Sequence, residues 1–160
     1  AARTEPNGGI ERRSTMNEIY TEEKLLSEMY KNVKMGQENI ASVIPKVDDK
    51  FMLRVLTARL EQFGAYSQKI SDIMHEHGWE PKEPGTAAKL GAKAGIAVNT
   101  LTDSTPSHIA EMFIKGSKMG ITKLEDARRS TADCSEGTIR LCDDIIENER
   151  RDRQKMEKFL

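Results

Sequence analysis

Apolar residues recur in steps of three and four along long stretches of this chain, with polar residues between them. The first stripe is Leu26, Met29, Val33, Gly36, Ile40 and Val43. Such spacing keeps one face of an α-helix apolar. Thr15, with Glu18 at capping-box spacing, and Thr21, followed by Glu22 and Glu23, both suit its start. Pro45 and the Asp48–Asp49 pair end it. The second stripe is Met52, Val55/Leu56, Arg59, Phe63, Tyr66, Ile70 and Ile73. It predicts helix 2 over about 49–76, stopped by Gly78, Pro81, Pro84 and Gly85. Behind Asp103, Ser104 and Thr105, helix 3 is predicted from Pro106 to Arg129. Its stripe is Ile109, Met112/Phe113, Gly116, Met119/Gly120, Leu124 and Ala127. Helix 4 starts at Ser135 or Glu136 and continues close to Leu160. Its stripe is Ile139, Cys142, Ile145/Ile146, Glu149, Arg153, Met156 and Leu160.

Short connections make helices 1 and 2 an antiparallel hairpin, and helices 3 and 4 another. Residues 79–105 join the hairpins, and within them residues 86–101 are rich in Ala and Gly, with Gly91 and Gly95 four apart. This stretch is expected to be a short crossover helix lying on the bundle. Residues 1–14 are polar and broken by Pro6, Gly8 and Gly9, and are expected to form a flexible tail. The expected fold is therefore all-α: a four-helix antiparallel bundle over 15–160.

Composition narrows the function. The 25 Lys and Arg nearly balance 26 Asp and Glu, for a net charge of -1. A nucleic-acid binder would carry a basic excess. No uncharged apolar run approaches the roughly 18 residues of a membrane span. The first residues lack the apolar core of a secretory signal, so a cytoplasmic protein is expected. Cys134 and Cys142 are eight residues apart. On a helix that places them roughly 12 Å apart, beyond disulfide reach. They are expected to be reduced packing residues.

The chain also repeats itself. Lys31-Asn-Val-Lys-Met-Gly36 in helix 1 matches Lys115-Gly-Ser-Lys-Met-Gly120 in helix 3, at an offset of 84. Leu53-Arg54-Val55-Leu56 in helix 2 matches Ile139-Arg140-Leu141-Cys142 in helix 4, at an offset of 86. That second register pairs Glu61 with Glu147, and Gln68-Lys69-Ile70 with Gln154-Lys155-Met156. Two similar hairpins, about 15–78 and 106–160, joined by a long crossover make a bundle with a pseudo-twofold axis.

In this order of elements the chain resembles the ferritin-like superfamily. More closely, it is similar to a bacterial family of ferritin-like bundles with no assigned function. The resemblance covers about residues 16–160 and implies, at its most active, a di-metal centre. Such centres take Glu from helices 1 and 3 and Glu-x-x-His from helices 2 and 4. Here Gln37 and Ile121 follow the repeat glycines where Glu would be wanted. Three residues after Glu61 and Gln62 come Gly64 and Ala65; after Glu147 and Asn148 come Arg150 and Arg151. No Glu-x-x-His occurs. The resemblance thus implies a non-enzymatic protein without a cofactor, acting by self-association, as a dimer first of all, or by partner binding, in stress or metal homeostasis. The alternative is a divergent iron or manganese oxidase or peroxidase using shifted carboxylates: Glu38, Glu61, Glu147 and Glu149.

Arg59 and Glu149 interrupt the apolar stripes of helices 2 and 4, and Gln37 lies on that of helix 1. With Gln62 they suggest a buried polar remnant of a site, or a plain buried ion-pair network. Buried Gln37 needs a hydrogen-bond partner, and Arg59, Gln62 and Glu149 are the candidates. His75 and His77 point apart on a helix and would not share a metal. Met29, Met52, Met112, Met119 and Met156 are expected in the core. Ile19, Tyr20 and Leu25 extend the apolar face of helix 1 and suggest a contact surface.

Overall fold

The computed structural model describes residues 20–85 and 103–160. The expected tail (1–14), the start of helix 1 at Thr15, Ile19 and the crossover helix (86–101) lie outside the described residues. The described residues form four α-helices: α1 Glu22–Val43, α2 Lys50–Glu76, α3 Pro106–Arg129 and α4 Glu136–Glu157. A single 3₁₀ turn, Ile44–Lys46, links the first two. Side chains set three of the starts. Thr21, Asp49 and Thr105 each accept a hydrogen bond from the backbone N–H three residues on. That satisfies one of the donors a helix N-terminus leaves unpaired. Ser135 caps α4 in position, but its hydroxyl turns to Glu22 instead. Gly78, with φ of 74°, takes the left-handed turn that closes α2.

The contacts between helices fix their directions. Phe51 meets Phe159, while Tyr66 accepts a hydrogen bond from Asn148, so α2 and α4 are antiparallel. The N–H of Tyr20 donates to Ser130 (2.7 Å) and Asn32 donates to Gly120 (3.2 Å), so α1 and α3 are antiparallel. Because α1 and α2 also oppose one another, α2 and α3 run the same way. The end of α2 and the start of α3 therefore lie at opposite ends of the bundle. The residues that leave α2 turn back along α1: Tyr30 of α1 donates to Glu83 (2.7 Å), and Pro84 is buried.

One core unites the four stripes. The eighth buried residue of α2, Met74, matches exposed Leu160; the other seven, Met52, Val55, Leu56, Arg59, Phe63, Tyr66 and Ile70, have a counterpart 86 residues on. Those counterparts, Thr138, Leu141, Cys142, Ile145, Glu149, Asp152 and Met156, are all buried as well. Leu25, Leu26, Tyr30, Ile40 and Val43 of α1 map in the same way, at 84, onto buried Ile109, Ala110, Ile114, Leu124 and Ala127.

Several stripe residues are corrected. Met119 is 55% exposed, and Gly116 has nothing within 4 Å of its would-be β-carbon. The stripe of α3 passes through Gly120 and Ile121 instead. Met112 is half-buried. In α4 it is Asp152, not Arg153, that enters the core, seven residues after Ile145 and close to two full turns away. Leu25 belongs to the core and carries no contact surface; Tyr20 is half-buried against the end of α3. No helix among the described residues is long and apolar enough to cross a membrane.

Candidate functional site: a buried guanidinium between two carboxylates

Helix α2 carries Arg59 into the middle of the bundle, on the same face as Leu56, Phe63 and Tyr66. A guanidinium cannot shed its charge in a protein, so burying it requires counter-charges. Helix α4 supplies them from one face, three residues apart. Arg59 NH2 lies 3.3 Å from Glu149 Oε1, and Arg59 NH1 donates to Asp152 Oδ2 at 3.3 Å. Arg59 and Glu149 are only 2% and 4% exposed. Below the guanidinium lies the ring of Phe63, 4.1 Å from Cζ. The guanidinium is thus held by charge on its edge and by a π-face beneath. Burial pulls the Arg59 pKa below its usual value, against the pull of Glu149 and Asp152.

The two carboxylates differ in their remaining contacts. Asp152 Oδ1 accepts from Lys155 Nζ at 3.0 Å, near the surface. Among the described residues, Glu149 Oε2 accepts from the hydroxyl of Ser117 on α3 alone, at 3.4 Å. Burial raises the Glu149 pKa to about 7, with Arg59 and Ser117 opposing the rise and Asp152 adding to it. Tyr66, its own pKa raised by burial, accepts from Gln62 Nε2 (3.3 Å) and from Asn148 Nδ2.

Two glycines make room for this centre. A β-carbon on Gly36 would lie 2.5 Å from Phe63 Cε2. On Gly120 it would lie 2.9 Å from Asn32 Nδ2 and 3.3 Å from Glu149 Oε2. Gly36 and Gly120 are the glycines of the sequence match, and Phe63 and Glu149 are themselves 86 apart.

Of the predicted polar remnant, Arg59 and Glu149 are brought together, and Gln62 joins through Tyr66. Gln37 lies against Gly64, and its Oε1 is buried without a hydrogen-bond partner. The expected bond from Arg59 or Gln62 to that oxygen is not made. Arg59 Nε is also buried and unpartnered. Sequence reasoning missed Asp152, Tyr66, Ser117, Asn32 and Asn148 as members of the network. Asp152 hid in the mixed-charge run 147–155, although its spacing from Ile145 and Glu149 puts it on the stripe.

The shifted carboxylates do not fit a di-metal centre. Glu61 and Glu147 lie on exposed faces, Glu38 is half-buried, and Glu149 faces Arg59. Among the described residues, no group of three or more His, Cys, Asp or Glu is placed to hold a metal ion. His75 Nε2 lies 3.3 Å from Glu80, while His77 stacks on Trp79. Cys134 and Cys142 are free, and burial above all raises the thiol pKa of both, that of Cys142 to about 12.

A shallow groove lies elsewhere, between the later half of α2 and the start of α4. It is lined by Lys69, Asp72, Ile73, Gly137, Arg140, Leu141 and Asp144. No family model, no curated protein and no solved structure matches the chain.

Proposed function

We propose that this chain is a ferritin-like bundle built from two repeated hairpins, without catalytic activity of its own, that acts in the cytoplasm by pairing with a second copy of itself. The observation that carries the non-enzymatic reading is Arg59. Its guanidinium is the positive charge at the bundle centre, and the two carboxylates best placed to bind a cation there already bind it. The repeat is supported by the buried positions that coincide at the two sequence offsets, and by Gly36 and Gly120 giving way to Phe63 and Glu149.

The α2/α4 groove is the surface assigned to pairing. Its floor is apolar, with Ile73 and Leu141, and its rim carries two cations, Lys69 and Arg140, and two anions, Asp72 and Asp144. A surface with equal numbers of both signs can meet a twofold copy of itself, cation to anion. A role in stress response or metal homeostasis follows from the resemblance alone.

Sedimentation of the purified chain tests this reading. Wild type is expected as a dimer, and the acidic-groove variant Lys69→Glu/Arg140→Glu as a monomer. Mixing that variant with Asp72→Lys/Asp144→Lys should restore a dimer. A wild type that stays monomeric at high concentration overturns the proposal. Two tightly held metal ions per chain after growth with iron and manganese would overturn its non-enzymatic part.

A further inference from the structure

The charges at the bundle centre do not balance in place. Arg59 is one cation facing two carboxylates, Glu149 and Asp152. Asp152 has a second cation, Lys155, on its other oxygen. Among the described residues Glu149 has no second cation: its other oxygen faces the neutral hydroxyl of Ser117 and the bare backbone at Gly120. The groups around it come from all four described helices. Helix α1 brings the uncharged amide of Asn32, α2 brings Arg59 and, near it, Tyr66, α3 brings Ser117, and α4 itself brings Asp152. A carboxylate with so little solvent, whose one cation is shared with Asp152, is more easily kept neutral than charged.

We propose that Glu149 is a proton-linked latch in the α3/α4 seam: it holds a proton when the bundle is tightest and releases it as the pH rises, which loosens the seam. The proton sits on Oε2, where the acid donates to Ser117 Oγ, and Arg59 is then left to Asp152. Release puts a second negative charge between Arg59, Ser117 and Gly120 with no added cation to meet it. The device goes beyond the pairing reading and does not depend on it.

The sign follows from linkage. The folded chain holds this proton up to a pH of about 7, whereas the unfolded chain releases it near 4.5. The stability it brings is therefore fully present below 4.5 and is lost as pH rises through about 7. Between about pH 5 and about pH 8, the folding equilibrium constant of wild type should fall by roughly fifty- to a hundredfold more than that of Glu149→Gln. Both proteins contain the same histidines, so imidazole titration cancels in the comparison.

Denaturant unfolding of both proteins across that range reads the difference. In parallel, carboxyl carbon NMR of wild type with labelled glutamate should show one side chain titrating near neutrality. Its midpoint should drop in Asp152→Asn, because Arg59 then serves Glu149 alone; a role in packing without a proton would leave no such midpoint to move. If Glu149→Gln does not fold, the wild type and Asp152→Asn titrations decide. Equal pH slopes in wild type and Glu149→Gln overturn the proposal. So does a spectrum in which every glutamate titrates in the ordinary acid range, or a midpoint unmoved by Asp152→Asn.

Discussion

The ring of Phe63 occupies the space that a β-carbon on Gly36 would need, 2.5 Å from Cε2. The guanidinium of Arg59 lies over the same ring, 4.1 Å from its centre. A methyl group at position 36 therefore pushes on the ring and through it on the ion-pair network. Gly36→Ala should destabilise by about 1–3 kcal/mol, despite the better helix propensity of Ala. Gly116→Ala, where nothing lies within 4 Å, should stabilise. The gain expected there is about 0.5–1 kcal/mol. Thermal or urea melts of the two variants should move in opposite directions.

Removing the buried cation should cost far more than removing the whole network. Arg59→Ala strands Glu149 and Asp152 together, and a loss of about 3–5 kcal/mol is expected. The triple change Arg59→Met/Glu149→Leu/Asp152→Leu replaces the charges with apolar bulk. It should recover most of that loss, as measured by urea unfolding at neutral pH. A triple variant as unstable as Arg59→Ala would mean that the ions hold the bundle together by more than mutual compensation.

Gln37 has a buried carbonyl oxygen that accepts nothing. Gln37→Leu removes it and should be neutral or stabilising by up to about 1 kcal/mol. Excess iron should raise the melting temperature of neither protein. Strong iron stabilisation of wild type that Gln37→Leu loses would reveal a working metal site at this position.

The segment that leaves α2 is tied back to α1 by Tyr30. Burial, with the Glu83 carboxylate beside it, raises its phenol pKa to about 12. Tyr30→Phe removes the bond to Glu83 at a cost of about 1 kcal/mol. Hydrogen exchange should speed up in residues 79–85 while α3 and α4 stay protected. An ultraviolet titration of wild type should find this phenol still protonated at pH 10, where an ordinary tyrosine is half ionised. The buried thiol of Cys142, also pushed up to about 12, should resist alkylation until the chain unfolds.

How far the sequence could be read varied with the kind of signal. Helix ends were legible because Thr21, Asp49 and Thr105 act through bonds only three residues long. Arg59 and Glu149 stood out because charge on an apolar stripe has few explanations. Met119 and Gly120 could not be separated by spacing, since adjacent residues differ by only about 100° around a helix. Which of them turns inward depends on Asn32 and Glu149, which arrive from other helices. Asp152 was lost for the opposite reason: its neighbours are charged, and only the distant anchors Ile145 and Met156 reveal its face. The unpartnered oxygen of Gln37 follows from how α1 sits on Gly64, which no local pattern encodes.

The parallel course of α1 and α4 has a mechanical consequence. Tyr20 lies at one end of the bundle beside Ser130, and Leu160 lies at the other end, just past the contact of Phe159 with Phe51. A pull between these two residues acts along the helix axes. It loads the core contacts and the Arg59 ion pairs together, in shear, with no end from which to peel them one at a time. A hairpin pulled at both ends on one side would unzip turn by turn. This bundle must slide as a block before any single contact is released.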